Sequence, residues 1–430
     1  MKTLVIYNVM INSRVVNTSR IILAILFIFS GVTKWIDPAG SQIKFTEYFH
    51  AFGVDALVPL AWPMAVAVPA MELFIGLMLA LGIYRRFFAW ASLIFMSFFT
   101  LLTFVIWQFV PVSDCGCFGD FLKLGNGETF AKNLVFMVPA LLFFLGRGIK
   151  GRTTGNESTV VLLLAAWSLL MPLYAATHLP LLDFLPYGEG ADIKTAMAIP
   201  DGADAGEHRT RLLYRDRQTG EKKLFEINDT TWWDDTRWEY MSTEHEVIRE
   251  GYTPAIASFS AVDAYGTERG GELLSHDGYI ALVTVRSLDE AADPSFGENL
   301  DILRGYAGCG VETVIATQLD LKAVSDVVGG GILCLNMDET QLKSMVRSKS
   351  GVMFLNDGVV VAKRNMLREL PQICGRSPEE VVSSERRRIV SAMAIYAFVG
   401  LAIAGGYLVM RKNGSKFVTS VKSDNFTTEL

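Results

Sequence analysis

Ala70-Met71-Glu72-Leu73-Phe74-Ile75-Gly76-Leu77-Met78-Leu79-Ala80-Leu81-Gly82 belongs to an apolar run from 58 to 82 in which Glu72 is the one ionisable residue, and Arg85-Arg86 follows it. About 20 consecutive apolar residues cross a bilayer as a helix. Four more runs of this kind fall in the first 186 residues, at 20–36, 87–111, 130–147 and 158–180, and a sixth lies at 389–410. The first is not a removable signal peptide, because Lys34, Trp35 and Asp37 stand where a small-residue cleavage site would be needed.

Short-loop Lys and Arg set the orientation of such helices. Lys2, Arg14 and Arg20 precede the first span, Arg85 and Arg86 separate the second from the third, Arg147, Lys150 and Arg152 follow the fourth, and Arg411, Lys412 and Lys416 follow the sixth. The alternate loops hold fewer cations, chiefly Lys44 and Lys123. The expected location is a bacterial inner membrane, with both termini cytoplasmic and residues 186–385 periplasmic. Arg386-Arg387-Arg388 then falls on the outer face, against the trend, and long translocated segments are exempt from that rule.

The 430 residues carry a net charge of −6 and no long basic stripe, which gives no basis for nucleic-acid binding. The histidines are scattered without a partner at helical spacing, so no metal site is expected.

Between the third and fourth spans stands Asp114-Cys115-Gly116-Cys117-Phe118-Gly119-Asp120. Two thiols one residue apart can act as a redox pair, as soft metal ligands or as a structural staple, and an oxidising compartment permits a disulfide. The ring closed by a Cys-X-Cys disulfide is small and strained, and strained bridges are oxidising and labile. Glycine allows the tight turn that brings the sulfurs together. Lys132, early in the fourth span, is a candidate thiolate stabiliser, helped by the helix dipole and opposed by Asp114, Asp120 and Glu128. Glu72 is a candidate intramembrane carboxylate for a proton relay or quinone contact, or for a packing ion pair with Lys34.

The first four spans resemble the DoxX/MauE-like family of four-helix membrane proteins. The resemblance rests on Phe29-Ser30-Gly31-Val32-Thr33-Lys34-Trp35-Ile36-Asp37-Pro38, on Glu72-Leu73-Phe74-Ile75-Gly76 with Arg85-Arg86, on the Cys115 loop, and on Thr129-Phe130-Ala131-Lys132-Asn133. It covers about 19–150, and the longer arrangement of bundle, exported domain and final span is similar to a form found in Bacteroidetes. The resemblance implies an accessory role, in maturation of methylamine dehydrogenase for MauE or in quinone-coupled sulfur oxidation for DoxX.

The expected organisation is a DoxX/MauE-like α-helical polytopic membrane domain at 1–152, a fifth helix and linker at 153–185, and a small β-rich insert at 186–251. A thioredoxin-like α/β domain follows at 252–375, and a last helix with a cytoplasmic tail at 386–430. In the β-rich part, Trp232, Trp233, Trp238 and Tyr240 are read as core packing, with a binding patch as the alternative. Strands are expected at Tyr279–Arg286, Val311–Thr317 and Ile332–Asn336, with helices at 294–308, 319–328 and 338–348. A hairpin turning at Asn356-Asp357-Gly358 completes the pattern. This order resembles a thioredoxin or redoxin domain, except that Ser287-Leu288-Asp289-Glu290-Ala291 stands where Cys-X-X-Cys belongs and Lys349-Ser350-Gly351 replaces the expected cis-proline. Cys334 is expected to be an inert core residue. Cys309 is expected to be exposed, with a bond to Cys374 or to the membrane loop as an alternative state.

Two functions fit. One is a membrane accessory protein for thiol–disulfide or quinone-coupled redox chemistry, partnered by the bilayer and a periplasmic protein. The other is a non-catalytic scaffold whose redoxin-like domain binds envelope partners. A transporter fits less well, since broken-helix pairs are missing.

Overall fold

The computed structural model describes residues 12–109, 116, 119–122, 124–148, 157–177, 179–180, 182–200, 202–203, 207–216, 222–226, 238–249, 252 and 254–426. Among them six helical segments are long and apolar enough to cross a membrane. The bundle is built from α1 (Ser13–Ile36), α2 (Pro38–Ala51), α3 (Ala61–Leu81), α4 (Arg85–Phe109), α5 (Asn126–Leu145) and α6 (Glu157–Thr177). Local chemistry sets several of the boundaries. Asn12 caps α1 by accepting from the Arg14 N–H at 2.9 Å, and Gly82, at φ +69°, ends α3 in the left-handed conformation that glycine tolerates.

The helix α2 was absent from the sequence reading because it is too short and polar to register as a span. Asp37 and Pro38 start it: the Asp37 carboxylate accepts from the Gly40 N–H at 2.9 Å, and proline at the first position has no N–H to orphan. Phe45 and Tyr48 of α2 pack with Leu102 and Ile106 of α4.

Helices α1 and α3 approach closely, and the approach depends on glycine. A Cβ on Gly31 would lie 2.6 Å from the Leu73 backbone nitrogen, and one on Gly76 would lie 2.7 Å from that of Ile28. Small residues let membrane helices touch backbone to backbone, where dispersion replaces the hydrophobic driving force that lipid lacks.

Residues Asp192–Phe259 form a separate compact unit. It holds α7 (Ile193–Met197) and an antiparallel sheet of β1 (Glu207–Asp216), β2 (Lys222–Glu226) and β3 (Trp238–Arg249), in the order β2-β1-β3. Trp238 opens β3, with the Lys223 ammonium 6.0 Å from its ring, while Trp232 and Trp233 lie outside the described residues.

The rest of the chain shares a unit with the bundle. It contains α8 (Gly270–Leu274), β4 (Tyr279–Val285), α9 (Leu288–Ala291), α10 (Pro294–Tyr306), β5 (Val311–Thr317), α11 (Leu321–Val328), β6 (Leu333–Asn336), α12 (Glu339–Met345), β7 (Ser350–Asn356), β8 (Val359–Asn365) and α13 (Pro378–Phe426). The five-stranded mixed sheet has the order β6-β5-β4-β7-β8, with β4, β5 and β6 parallel and β7–β8 an antiparallel hairpin. Central β4 is buried on both faces, as its unbroken apolar run requires, and Phe296, Leu300, Val324 and Phe354 fill the core around it. The hairpin turns at Asp357 and Gly358, both at positive φ, the type I′ geometry that Asp-Gly favours.

The edge of the sheet is covered: Val262 exchanges two backbone hydrogen bonds with Asn336 of β6, at 2.9 and 2.7 Å. Cys334 sits on this four-residue edge strand and is half-buried rather than enclosed in the core. Burial still pushes its thiol up, away from the reactive thiolate. Cys309, which is exposed as expected, forms a disulfide with Cys374, their Cα atoms 5.7 Å apart, so of the two alternative partners read from the sequence the bond goes to Cys374.

The final helix begins at Pro378, three turns ahead of its apolar stretch, and packs on α6. Trp167 and Tyr396 stack with ring centroids 4.2 Å apart, the Trp167 indole donates to the Tyr396 carbonyl at 3.1 Å, and the Tyr396 hydroxyl donates to the Trp167 carbonyl at 3.0 Å.

Candidate functional site

The close approach of α1 and α3 brings the last turn of α1 against the middle of α3. Lys34 and Glu72 are 7% and 3% exposed, and Lys34 Nζ donates to Glu72 Oε1 at 2.6 Å. The Ser30 hydroxyl donates to Glu72 Oε2 at 3.0 Å, so both carboxylate oxygens are satisfied. The ammonium also lies 5.5 Å from the Phe99 ring centroid, within cation–π range. Removing two charges from water is expensive, and only a mutual pair with further hydrogen bonds offsets it.

One turn further on, Asp37 serves two partners. Its Oδ1 caps α2, and its Oδ2 accepts from Arg347 Nε at 3.0 Å, both side chains being 9% exposed. Arg347 lies in the segment between α12 and β7, where a cis-proline was expected from the resemblance. That segment is pinned from β4: the Arg286 N–H donates to the Lys349 carbonyl at 2.8 Å, and its guanidinium donates to the carbonyls of Arg347 at 3.0 Å and Ser348 at 2.7 Å. Arg286 directly precedes Ser287–Ala291, so this arginine links the end of β4 to the segment ahead of β7.

Cys115 and Cys117 lie outside the described residues, but Gly116 between them and Gly119 beyond them are placed. Both have positive φ, +56° and +57°, and the Gly119 N–H donates to the Gly116 carbonyl at 3.0 Å, closing a tight turn. A Cβ on Gly116 would come within 3.3 Å of the Lys44 side chain of α2, and one on Gly119 within 3.3 Å of the Thr33 carbonyl. The turn is therefore seated against the end of α1 and against α2, next to the Lys34–Glu72 pair. Two small cavities border it. One of about 40 Å³ touches Lys34, Lys44, Tyr48, Phe99 and Gly116. The other, about 80 Å³, touches Asp37, Ser41, Lys44, Gly116, Gly119 and Arg347. Both are far below the several hundred Å³ of ordinary small-molecule sites and suit water.

Lys132 is half-buried on α5, in its second turn. Its neighbour Asn133 is buried and donates to the Thr103 hydroxyl at 3.1 Å, tying α5 to α4. Glu128 uses its carboxylate to accept from the Gly125 N–H at 3.0 Å, capping α5. Of the sequence candidates, then, Glu72 is brought to Lys34, and Cys115 and Cys117 lie outside the described residues on either side of Gly116. Arg286, Arg347 and Lys44 were not anticipated. Asp37 was noted at the end of the first span but not with this partner, and an isolated loop arginine such as Arg347 carries no sequence signal for a partner 310 positions away.

Six apolar helices and a concentration of buried charge at one end of them define a multi-pass membrane protein. Residues 12–146 match the family model described as methylamine utilisation protein MauE, about a third of the chain. The match runs from the cap of α1 to the end of α5 and takes in Lys34, Asp37, Glu72 and the cysteine turn. No curated protein matches the chain.

Proposed function

We propose that this chain is an inner-membrane accessory protein that works in thiol–disulfide chemistry on the periplasmic side, through Cys115 and Cys117. The observation that carries the reading is the meeting of the sheet with the cysteine turn. Arg347 and Gly116 border one cavity of about 80 Å³, and Arg347 is held there by Asp37 and, through its carbonyl, by Arg286. Residues 252–375 act as a thioredoxin-like module without a dithiol at the usual site after β4, holding a client beside the thiols of the membrane domain. The MauE description supports an accessory role in redox-related metabolism. Forming the Cys115–Cys117 disulfide releases two electrons and two protons, for which a membrane quinone is the acceptor class. The disulfide then passes to a client dithiol, which is oxidised as the pair is reduced.

The test is thiol trapping in intact cells with a membrane-impermeant maleimide, before and after reduction, with the modified cysteines mapped by mass spectrometry. Labelling of Cys115 and Cys117 only after reduction supports an outward disulfide, and a client mixed disulfide should then accumulate in Cys115→Ser or in Cys117→Ser. Absence of labelling in both conditions overturns the reading.

A second reading is a scaffold. It is favoured by the absence of Cys-X-X-Cys after β4 and by the commitment of Cys309 and Cys374 to each other. It requires that Cys115→Ser and Cys117→Ser leave function and protein level unchanged.

A further inference from the structure

A cavity of about 590 Å³ opens where the end of α6, the 179–190 segment, β8 and the start of α13 come together. Its floor is apolar and belongs to the membrane border: Tyr174 near the end of α6, Leu182 and Phe184 after it, and Ile389 and Val390 where α13 turns apolar. All of these except Ile389 are exposed. Its wall is cationic. Lys363 is paired with Asp183, and Arg364 with Glu385, which Arg388 also reaches at 3.3 Å. Arg368 and Arg386 line the same space and have no ion pair among the described residues; the remaining carboxylates of the lining are Glu189, 3.9 Å from Arg364, and Glu369.

We propose that this cavity seats the anionic headgroup of a membrane phospholipid, with Arg368 and Arg386 taking the phosphate and the apolar floor taking the first part of an acyl chain. Three observations converge on that ligand. The volume lies within the range of small-molecule sites. Basic pockets at the ends of membrane helices recognise phospholipid headgroups, and guanidinium groups match phosphate oxygens in a bidentate fork. The exposed apolar side chains directly beneath the cations are what an amphiphile covers and a free anion does not. The site also gives a purpose to Arg386-Arg387-Arg388, which runs against the charge bias of the other loops: Arg386 and Arg388 line the cavity, while Arg387 does not. The inference is independent of the thiol chemistry proposed above.

The experiment uses the full chain in zwitterionic phosphatidylcholine nanodiscs, titrated with phosphatidylglycerol and read by native mass spectrometry and by thermal stability. The expected result is about one retained phosphatidylglycerol and a stabilised protein, with affinity falling about tenfold for Arg368→Gln and again for Arg386→Gln. Arg386→Lys should recover part of the loss, and Arg387→Gln should change it less than twofold. Equal loss in Arg387→Gln overturns the location, since it would report general surface charge. Saturation by inorganic phosphate at the same midpoint overturns the lipid in favour of a small anion. Equal retention of phosphatidylcholine overturns the requirement for negative charge.

Discussion

The two ends of the helical bundle use their cations in opposite ways. At one end, arginines bind backbone. Arg20 donates to the carbonyls of Leu79 and Ala80, Arg411 to that of Leu81 at 2.9 Å, and Arg85 to the Asn17 side chain at 2.9 Å. The carbonyls of Leu79, Ala80 and Leu81 are orphans of the last turn of α3, where the helix dipole is negative, while Arg85 ties to α1 through a side chain, and each contact is a local and replaceable one. At the other end, two buried cations each take a carboxylate from a different part of the chain, Lys34 with Glu72 and Arg347 with Asp37, while the more exposed Lys44 pairs locally with Glu47. The first arrangement fixes helix ends and gathers the loop arginines whose bias the sequence displays. The second depends on tertiary structure, and it borders the cysteine turn.

That contrast predicts unequal costs. Glu72→Ala should be the most damaging change, since it strands the buried Lys34 ammonium, and a loss of about 3–5 kcal/mol is expected for breaking such a pair. Its signature is a large drop in thermal stability in detergent, largely reversed in Lys34→Met/Glu72→Leu. Failure of the double substitution to recover would mean that the pair is needed for more than packing. Arg347→Ala is expected to cost about 2 kcal/mol as a charge-assisted hydrogen bond is lost. A double-mutant cycle with Asp37→Asn should return most of that as coupling energy. Arg411→Gln, at the opposite end, should cost under about 1 kcal/mol in the same assay. If it proved as costly as Glu72→Ala, the distinction between the ends would be wrong.

The smallest effect is a pH dependence. Glu189 is held above the usual carboxylate range by burial, which outweighs the Lys363 N–H and Arg364 beside it. Its ionised form is thus disfavoured in the folded protein, so it subtracts stability progressively as pH rises from the unfolded carboxylate value through the folded one. Glu189→Gln should accordingly be slightly more stable than wild type at neutral pH and equal to it in acid. A constant difference across pH would show that the carboxylate's charge is not responsible.

Features encoded by local pattern were legible in the sequence, and those encoded by distance were not. The spans at 58–82 and 87–111 appear as helices Asp55–Leu81 and Arg85–Phe109, since apolar length alone specifies them. Val311–Thr317 and the Asp357-Gly358 turn are likewise where their residue types require. The helix α2 escaped because its pattern is weakly amphipathic, and the early start of α13 escaped because Glu379–Arg388 is charged although helical. Of the site, the Lys34–Glu72 partnership was readable because two intramembrane charges seek each other. The pairs Arg347–Asp37 and Cys309–Cys374 were not singled out, because many surface arginines and several cysteine pairings are equally compatible with the sequence.

The clasp of Trp167 and Tyr396 has a consequence for how such a chain can vary. It joins the helix on which the polypeptide leaves the bundle to the helix on which it returns, so everything between is a loop whose ends are already tied. Closure entropy grows only logarithmically, with each doubling of loop length costing about 0.6 kcal/mol. The size of the excursion therefore weighs little on the clasp, and segments such as Asp192–Phe259 can be lengthened, shortened or exchanged without re-engineering the helices beneath them.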